Sequence, residues 1–176
     1  MNIALVSLNQ AWEDKELNIS QCESYIAKAS NNKAELIIFP EMTLTGFSMN
    51  TKLIGEKKES SESVISFKKM AKKYNIQIIF GVVFLVNNQA TNNLIVVGRT
   101  GKLIKQYAKI HPFTVSGEDR AYQSGSKIGL VNINDFTVGL SICYDLRFPE
   151  LYSALSNTSD IIINIACWPK DRVNHW

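Results

Sequence analysis

The sequence predicts a layered α/β fold with mixed sheets, and three observations support this class. Helical and strand-like segments alternate along the chain, two hairpin signals interrupt that alternation, and 45% of the 176 residues are apolar. Because hairpins place antiparallel neighbours in a sheet, a doubly wound parallel sheet is not expected. A chain of this length and composition can bury its core within a single domain, residues 1–176.

The first half of the chain contains two predicted helices between short buried strands. Residues 1–8 are apolar and read as the first strand. Apolar side chains at steps of two to four residues predict an amphipathic helix over residues 14–31, and a second one over residues 64–74. Residues 36–39 form a buried strand that Pro40 ends. The Gly-, Ser- and Lys-containing segment 43–62 is expected to be a loop.

The second half is dominated by two predicted hairpins. Residues 76–86 are rich in β-branched and aromatic side chains, which predicts a central strand closed by Asn87 and Asn88. Residues 92–97 and 103–107 flank a Gly-containing loop and form the first hairpin. Residues 127–133 and 136–142 form the second, about Asn134 and Asp135.

Three further segments complete the predicted order. Residues 114–126, between the hairpins, are expected to form a loop that crosses near a functional site. Pro149 opens a helix over residues 149–156, since proline is favoured in a first helical turn. Residues 161–166 form one more buried strand.

Three candidate catalytic residues stand at or just past the ends of predicted strands, where α/β sheets gather their chemistry. Cys143 follows a buried run and precedes a turn, and a cysteine becomes a strong nucleophile only when a base or positive charge removes its proton. Glu41 and Lys109 could supply these groups. Taken singly, each has a simpler interpretation: Glu41 as a loop charge or helix cap, Lys109 as a surface lysine, and Cys143 as an inert buried thiol.

Taken together, the motifs around these residues resemble a known family. The motifs are Phe39-Pro40-Glu41-Met42 with Gly46-Phe47, then Lys109-Ile110-His111-Pro112-Phe113, then the segment from Cys143 to Glu150. In this order they resemble the nitrilase superfamily of carbon-nitrogen hydrolases. Their wording is most similar to its omega-amidase branch, and Ala166-Cys167-Trp168-Pro169 and His175-Trp176 add to this similarity. The resemblance implies an αββα sandwich of mixed sheets flanked by helices, and a Glu-Lys-Cys triad of Glu41, Lys109 and Cys143.

The resemblance also implies a mechanism without a metal or organic cofactor. Glu41 would take the thiol proton, Cys143 would attack an amide carbonyl, and Lys109 with the backbone N–H of Tyr144 would hold the oxyanion. Ammonia would leave, and water would hydrolyse the resulting thioester. The implied substrate is the terminal amide of a small dicarboxylic acid monoamide, with N-carbamoyl compounds and deaminated glutathione as alternatives.

Six residues are candidates for substrate binding, each with a structural alternative. Glu118 matches a second family glutamate that orients substrate or lysine, but it could be a solvated loop charge. Arg147 could bind the carboxylate of an anionic substrate, or form an ion pair with Asp145 or Glu150. Tyr144 would contribute its backbone N–H, as described above. Phe47, Phe113 and Trp168 could form the walls of the pocket or fill the core. His111 is expected to be structural, bonding a neighbouring backbone group or carboxylate.

Composition argues against several other classes. The net charge of +3 is spread along the chain without an arginine-rich run, so no nucleic-acid partner is expected. The N-terminal apolar run lacks a basic start and is too short for a signal peptide, and no membrane partner is expected. Three cysteines without CxxC spacing favour a reducing cytoplasm, and two histidines outside any Cys/His cluster argue against a metal site.

Family members continue with another helix and further strands, so the sandwich is expected to be incomplete at its C-terminus. Residues 1–176 would then be the N-terminal two thirds of the family domain, with exposed apolar strand faces. A homodimer is expected if the full domain is present. One alternative is an inactive remnant or fragment of such an enzyme. A redox-sensing cysteine protein is another, with Cys22 or Cys167 as the partner of Cys143.

Overall fold

Two β-sheets lie face to face in the computed structural model, which describes residues 1–175, and helices cover the outer face of each sheet. The layers run helices, first sheet, second sheet, helix. This arrangement confirms the predicted α/β class and the αββα sandwich of mixed sheets.

The first sheet combines parallel and antiparallel pairs. Its strands in spatial order are β1 Ile3–Leu5, β2 Leu36–Ile38, β4 Gln77–Val86, β5 Gln89–Val97 and β6 Leu103–Ala108. β1, β2 and β4 are parallel, whereas β5 and β6 follow as antiparallel hairpin strands. A two-residue strand, β3 (Glu56–Lys57), pairs with the far end of β4. The predicted β5–β6 hairpin is confirmed.

The second sheet contains β7 Gly129–Ile133, β8 Phe136–Ile142 and β9 Ile161–Ile165. β7 and β8 form the second predicted hairpin, and β9 runs parallel to β8. Alternate residues of both sheets point inward and form the core between them. They include Leu36, Ile38, Ile79, Leu94, Val96 and Tyr107 from the first sheet and Val131, Ile133, Val138, Leu140, Ile142, Ile163 and Ile165 from the second.

Helices α1 (Lys15–Asn31) and α3 (Glu62–Tyr74) cover the first sheet, as their apolar periodicity predicts. Ser61 caps α3 by accepting a hydrogen bond from the backbone N–H of Val64. Helix α5 (Pro149–Ser156) covers the second sheet, and Leu155 packs against Gly139 there. Two short helices, α2 (Thr51–Ile54) and α4 (Glu118–Ala121), lie within connecting segments.

Strand β2 explains why the first sheet reads as continuous apolar runs. Leu36 and Ile38 face the second sheet while Ile37 faces α1 and α3, so all three side chains are buried. A strand covered on both faces needs apolar residues at every position rather than at alternate ones. The strand therefore leads straight from the core to the segment that carries Glu41.

Three sequence-based boundaries were wrong. Residues 43–62 are not a plain loop, because α2, β3 and a 3-10 turn over Lys58–Ser60 lie within them and Glu56 ties them together. Asn87 and Asn88 close β4 as predicted, but β5 begins at Gln89 rather than at residue 92, because these two residues have positive φ and form a two-residue turn. The first strand covers only Ile3–Leu5 rather than residues 1–8.

An open groove follows the edges of β1 and β9, which each pair with one neighbour within residues 1–175. Its volume is about 740 Å³, and its lining is mainly apolar. The lining residues come from three segments: residues 5–10, residues 38–40 and residues 164–173. Leu5 and Val173 are exposed in this groove, whereas other exposed apolar side chains, such as Trp12, Leu53 and Val115, lie outside it.

Within residues 1–175, no helix is both long and apolar enough to span a bilayer.

Candidate active site

The ends of three strands bring Glu41, Lys109 and Cys143 together between the sheets. Lys109 directly follows β6 and Cys143 directly follows β8, while Glu41 stands three residues beyond β2. All three side chains are buried. The site therefore forms where the carboxyl ends of strands from both sheets meet.

The carboxylate of Glu41 is fully buried and accepts hydrogen bonds on both oxygens. Oε1 accepts from Lys109 Nζ at 2.9 Å and from Asn92 Nδ2 at 2.7 Å, and Oε2 accepts from the backbone N–H of Cys167 at 3.1 Å. The Cys143 thiol lies within hydrogen-bonding reach of the same carboxylate. Glu41 thus connects Lys109, Asn92 and the segment that carries Cys167.

Lys109 lies between two carboxylates. Its Nζ is 2.8 Å from Oε2 of Glu118 and 2.9 Å from Oε1 of Glu41. Burial acts to lower the pKa of Lys109, but the charges of Glu41 and Glu118 outweigh it and raise that pKa above its usual value. Lys109 is therefore a permanent cation, available to an oxygen that becomes negative nearby.

Glu118 is not a solvated loop charge, because its side chain is fully buried. Besides Lys109, it accepts hydrogen bonds from Asn92 Nδ2 at 3.1 Å and from the backbone N–H of Phe113. The segment 114–126 does cross the site, as predicted, but it is not a plain loop. It contains a 3-10 turn over Thr114–Ser116 and helix α4, whose first residue is Glu118.

Cys143 combines a strained backbone with a protonated thiol. Its φ of +46° lies in the left-handed region, which costs a non-glycine residue about 1–2 kcal/mol. Burial and the charge of Glu41 raise the pKa of the thiol, and Lys109 opposes them only in part. The raised pKa favours the protonated thiol, so Cys143 would need a base in order to act as a nucleophile.

The backbone around Glu41 is held from two sides. Gln10 Nε2 donates to the carbonyl oxygens of Glu41, Met42 and Thr43 at 2.8–3.2 Å. On the other side, Gly81 of β4 approaches so closely that a Cβ there would lie 2.3 Å from the Met42 nitrogen. Only a glycine permits this contact.

The predicted substrate-binding residues differ in their distance from the triad. The Phe47 ring centroid lies 5.4 Å from Lys109 Nζ, and Phe113 packs against Tyr144 at 4.9 Å. Arg147 is exposed, in the turn that starts at Cys143. Trp168 lines the open groove instead and donates its indole N–H to the Arg172 carbonyl at 2.7 Å.

The other two cysteines occupy different environments. Cys22 belongs to the buried face of α1, and burial raises the pKa of its thiol to about 12. Cys167 is half-buried; burial, followed by the charge of Glu41, raises the pKa of its thiol to about 11. Cys167 contacts Glu41 through its backbone N–H, so the contact does not depend on its side chain.

Sequence reasoning missed Asn92 and Gln10 as site residues and underestimated Asp145. A signal existed for Asn92, because a buried asparagine within an apolar strand requires polar partners. Asp145 accepts hydrogen bonds from Tyr107 and from both the backbone and ring of His111. His111 is therefore structural, as expected. Gln10 gave no such signal, since its partners are backbone groups far away in the sequence.

Among residues 1–175, no group of three or more His, Cys, Asp or Glu side chains is arranged to hold a metal ion.

A cysteine-dependent hydrolase site needs a thiol, a base and a cation. Here these groups are the thiol of Cys143, the carboxylate of Glu41 and the ammonium group of Lys109. Residues 2–176 match the family model described as carbon-nitrogen hydrolase. The chain belongs to this family of enzymes, in the nitrilase superfamily.

Named relatives agree with this assignment. The hydrolase in the agr operon of Staphylococcus aureus is 31% identical over 183 residues, covering 100% of this chain and 69% of the relative. The 2-oxoglutaramate amidase of Bacillus subtilis is 31% identical over 163 residues, covering 90% of this chain and 62% of the relative. The chain thus spans roughly two thirds of the length of these relatives.

The fold is also shared with solved structures. A CN-hydrolase superfamily protein from Xanthomonas campestris superposes with a TM-score of 0.88 at 24% identity, covering 99% of this chain and 67% of that one. The yeast Nit3 protein of Saccharomyces cerevisiae gives a TM-score of 0.84 at 25% identity, covering 96% and 65%.

Proposed function

We propose that this chain hydrolyses the terminal amide of a small dicarboxylic acid monoamide, releasing ammonia and a carboxylate. The observation that carries the proposal is the position of Glu41, which contacts the Cys143 thiol while it holds Lys109 at 2.9 Å. The names of the relatives support the reaction class, since one is a 2-oxoglutaramate amidase and another an omega-amidase.

The first half of the reaction forms a thioester. Glu41 takes the proton from Cys143 as Sγ attacks the amide carbonyl carbon, since burial and the charge of Glu41 raise the pKa of the thiol and favour its protonated form. The carbonyl oxygen becomes negative and is stabilised by Lys109 Nζ and the backbone N–H of Tyr144. The carbon–nitrogen bond then breaks, Glu41 returns its proton to the nitrogen, and ammonia leaves.

The second half releases the product. Water loses a proton to Glu41 and attacks the thioester carbon, again with the oxyanion next to Lys109. The carbon–sulfur bond breaks, the acid departs, and Sγ regains its proton from Glu41. Buried Glu118 holds Lys109 in place and buried Asn92 holds Glu41, while Asn92 also donates to Glu118.

The burial of the site favours short substrates. Cys143 is only 6% exposed, and Phe47, Phe113 and Tyr144 surround the site. A short acyl group fits this description better than a bulky one. Arg147 lies four residues beyond the nucleophile, where a guanidinium group would pair with the distal carboxylate of an anionic substrate. N-carbamoyl compounds and deaminated glutathione are the alternative substrates that the family resemblance suggests.

The test is ammonia release from 2-oxoglutaramate and succinamate by the 176-residue chain, with Cys143→Ala beside it and intact mass measured during turnover. We expect turnover and an acyl adduct in the wild type and neither in the variant. Turnover that survives in Cys143→Ala would overturn the mechanism. A folded wild-type chain with neither turnover nor adduct would instead favour the inactive remnant.

A further inference from the structure

We propose that Asp145 is a positioning residue that fixes the Cys143 nucleophile relative to Lys109. The inference rests on the proposed function, because it assigns Asp145 a task in that same site. Asp145 is fully buried and lies two residues beyond Cys143, in the 3-10 turn Cys143–Arg147, which we call the nucleophile turn.

The Asp145 carboxylate holds the entry to the nucleophile turn. Its Oδ2 accepts a hydrogen bond from the backbone N–H of Ile142 at 3.0 Å. Ile142 is the last residue of β8, directly before Cys143 with its positive φ. A strained backbone conformation persists only where surrounding contacts hold it in place. The bond between Ile142 and Asp145 spans Cys143 and is one such contact.

The same carboxylate also holds the segment Tyr107–His111, which we call the lysine segment. Tyr107 Oη donates to Oδ2 at 2.7 Å, the backbone N–H of His111 donates to Oδ1 at 2.9 Å, and His111 Nδ1 lies 2.9 Å from Oδ1. Tyr107 and His111 stand two residues before and two residues after Lys109. Asp145 thus anchors the lysine segment on both sides of the cation.

Two further features make this connection rigid. The His111 ring stacks on Phe148, with centroids 3.6 Å apart and planes 7° from parallel, directly after the nucleophile turn. Tyr107 is buried in the core between the sheets, where burial and the Asp145 charge raise the pKa of its phenol, so it remains a donor. One buried carboxylate therefore joins the ends of β6 and β8, which lie in different sheets.

The functional consequence concerns geometry rather than proton transfer. Sγ of Cys143, the backbone N–H of Tyr144 and Nζ of Lys109 must all face one carbonyl group. Two of these groups belong to the nucleophile turn, and one belongs to the lysine segment. A misplacement of about 1 Å between such groups costs a rate on the order of 100-fold.

The test compares Asp145→Asn and Tyr107→Phe with Glu56→Gln as a matched control. Glu56 is also a carboxylate with little solvent exposure (10%) and several donors, namely Lys15, Ser61 and Ser63, but it lies on β3, outside the site. For each folded variant we would measure kcat and KM for 2-oxoglutaramate, and the rate at which iodoacetamide alkylates Cys143, read by peptide mass.

We expect Asp145→Asn to lower kcat about 100-fold, with KM within about threefold of wild type and alkylation of Cys143 at least about tenfold altered. Tyr107→Phe removes one of the four donors and should lower kcat about tenfold. Glu56→Gln should lower the melting temperature and leave kcat and alkylation unchanged. Unchanged kcat and alkylation in both site variants would overturn the positioning role.

The two proposals fail differently. If the wild-type chain turns over no amide, the proposed function fails, yet the alkylation rates still show whether Asp145 sets the reactivity of Cys143. If wild-type turnover is present but the Asp145 and Tyr107 variants match it per folded molecule, only the positioning role fails.

Discussion

The ammonium group of Lys109 lies 2.8 Å from Oε2 of Glu118, in an ion pair with almost no solvent exposure. Glu41 binds the same Nζ from another side at 2.9 Å. One buried cation therefore neutralises part of the charge of two buried carboxylates. This balance links the stability of the fold to the chemistry of the site.

Removal of the cation should destabilise the protein as well as inactivate it. Lys109→Met keeps the length of the side chain but leaves both carboxylates buried without their cation, which we expect to cost about 3–5 kcal/mol of unfolding free energy. Urea denaturation measures this loss. Lys73→Met, which breaks the exposed pair with Glu23, is the control and should change stability far less. Equal stability of the two variants would contradict the balance described above.

Asn92 should tolerate no added charge. Asn92→Asp places a third carboxylate beside Glu41 and Glu118. Repulsion between the three negative charges is relieved by binding a proton, so Glu41 is protonated in a fraction of the molecules and cannot act as a base there. We expect kcat to fall on the order of 100-fold. Asn93→Asp is the matched control: it is the next residue of β5, is equally buried, and bonds Thr91 and Gln106 instead. A similar fall in kcat for both variants would argue against a local effect.

Gly81 should be required for the position of Glu41. In Gly81→Ala the new Cβ meets the Met42 nitrogen and the Glu41 backbone, neither of which can move aside as a side chain does. We expect kcat to fall by about 10- to 100-fold as Glu41 is displaced. Gly98→Ala meets only the flexible end of Ile104, in the β5–β6 hairpin, and should retain kcat. Wild-type activity in Gly81→Ala would show that Glu41 can shift without consequence.

Arg147 should select for anionic substrates. We expect Arg147→Gln to raise KM for succinamate and 2-oxoglutaramate by about 10-fold, the lower part of the range for a hydrogen bond to a charged group. Neutral amides of similar length, such as butyramide, should be unaffected. Steady-state kinetics on both sets give the answer. Equal losses on anionic and neutral amides would mean that Arg147 supports the nucleophile turn instead.

Cys22 should make the fold sensitive to alkaline pH. Burial raises the pKa of its thiol from 9.0 to about 12. Between these values the unfolded chain releases a proton that the folded chain retains, so stability is intact below pH 9 and falls as pH rises. The loss from one thiol is about 1.4 kcal/mol per pH unit.

Urea denaturation between pH 8 and pH 11 measures this slope. In Cys22→Ala the free energy of unfolding should fall with pH less steeply than in wild type, by about 1.4 kcal/mol per pH unit. Ile26→Val removes a neighbouring core group without a titratable proton, and it should lower stability while keeping the wild-type slope. If Cys22→Ala kept the wild-type slope, other groups would account for the alkaline loss.

The sequence determined the class of fold and the three principal site residues. Apolar periodicity gave α1 and α3 because a helix buries every third or fourth residue, and the continuous apolar run in β2 gave a strand buried on both faces. Glu41, Lys109 and Cys143 were recognisable because each lies in a local motif at the end of such a strand.

Only the tertiary structure decided what surrounds them. Glu41 is held by hydrogen bonds from Gln10 and Asn92, which lie 31 and 51 positions away in the sequence, and by the close backbone approach of Gly81. No local sequence pattern encodes such contacts. Asp145 likewise joins two sheets through partners 34 and 38 residues away. Local sequence sets the conformation of each segment, but the distances between segments depend on how the two sheets pack. The three candidate catalytic residues could therefore be proposed from the chain alone, whereas the contacts that hold them in place could not.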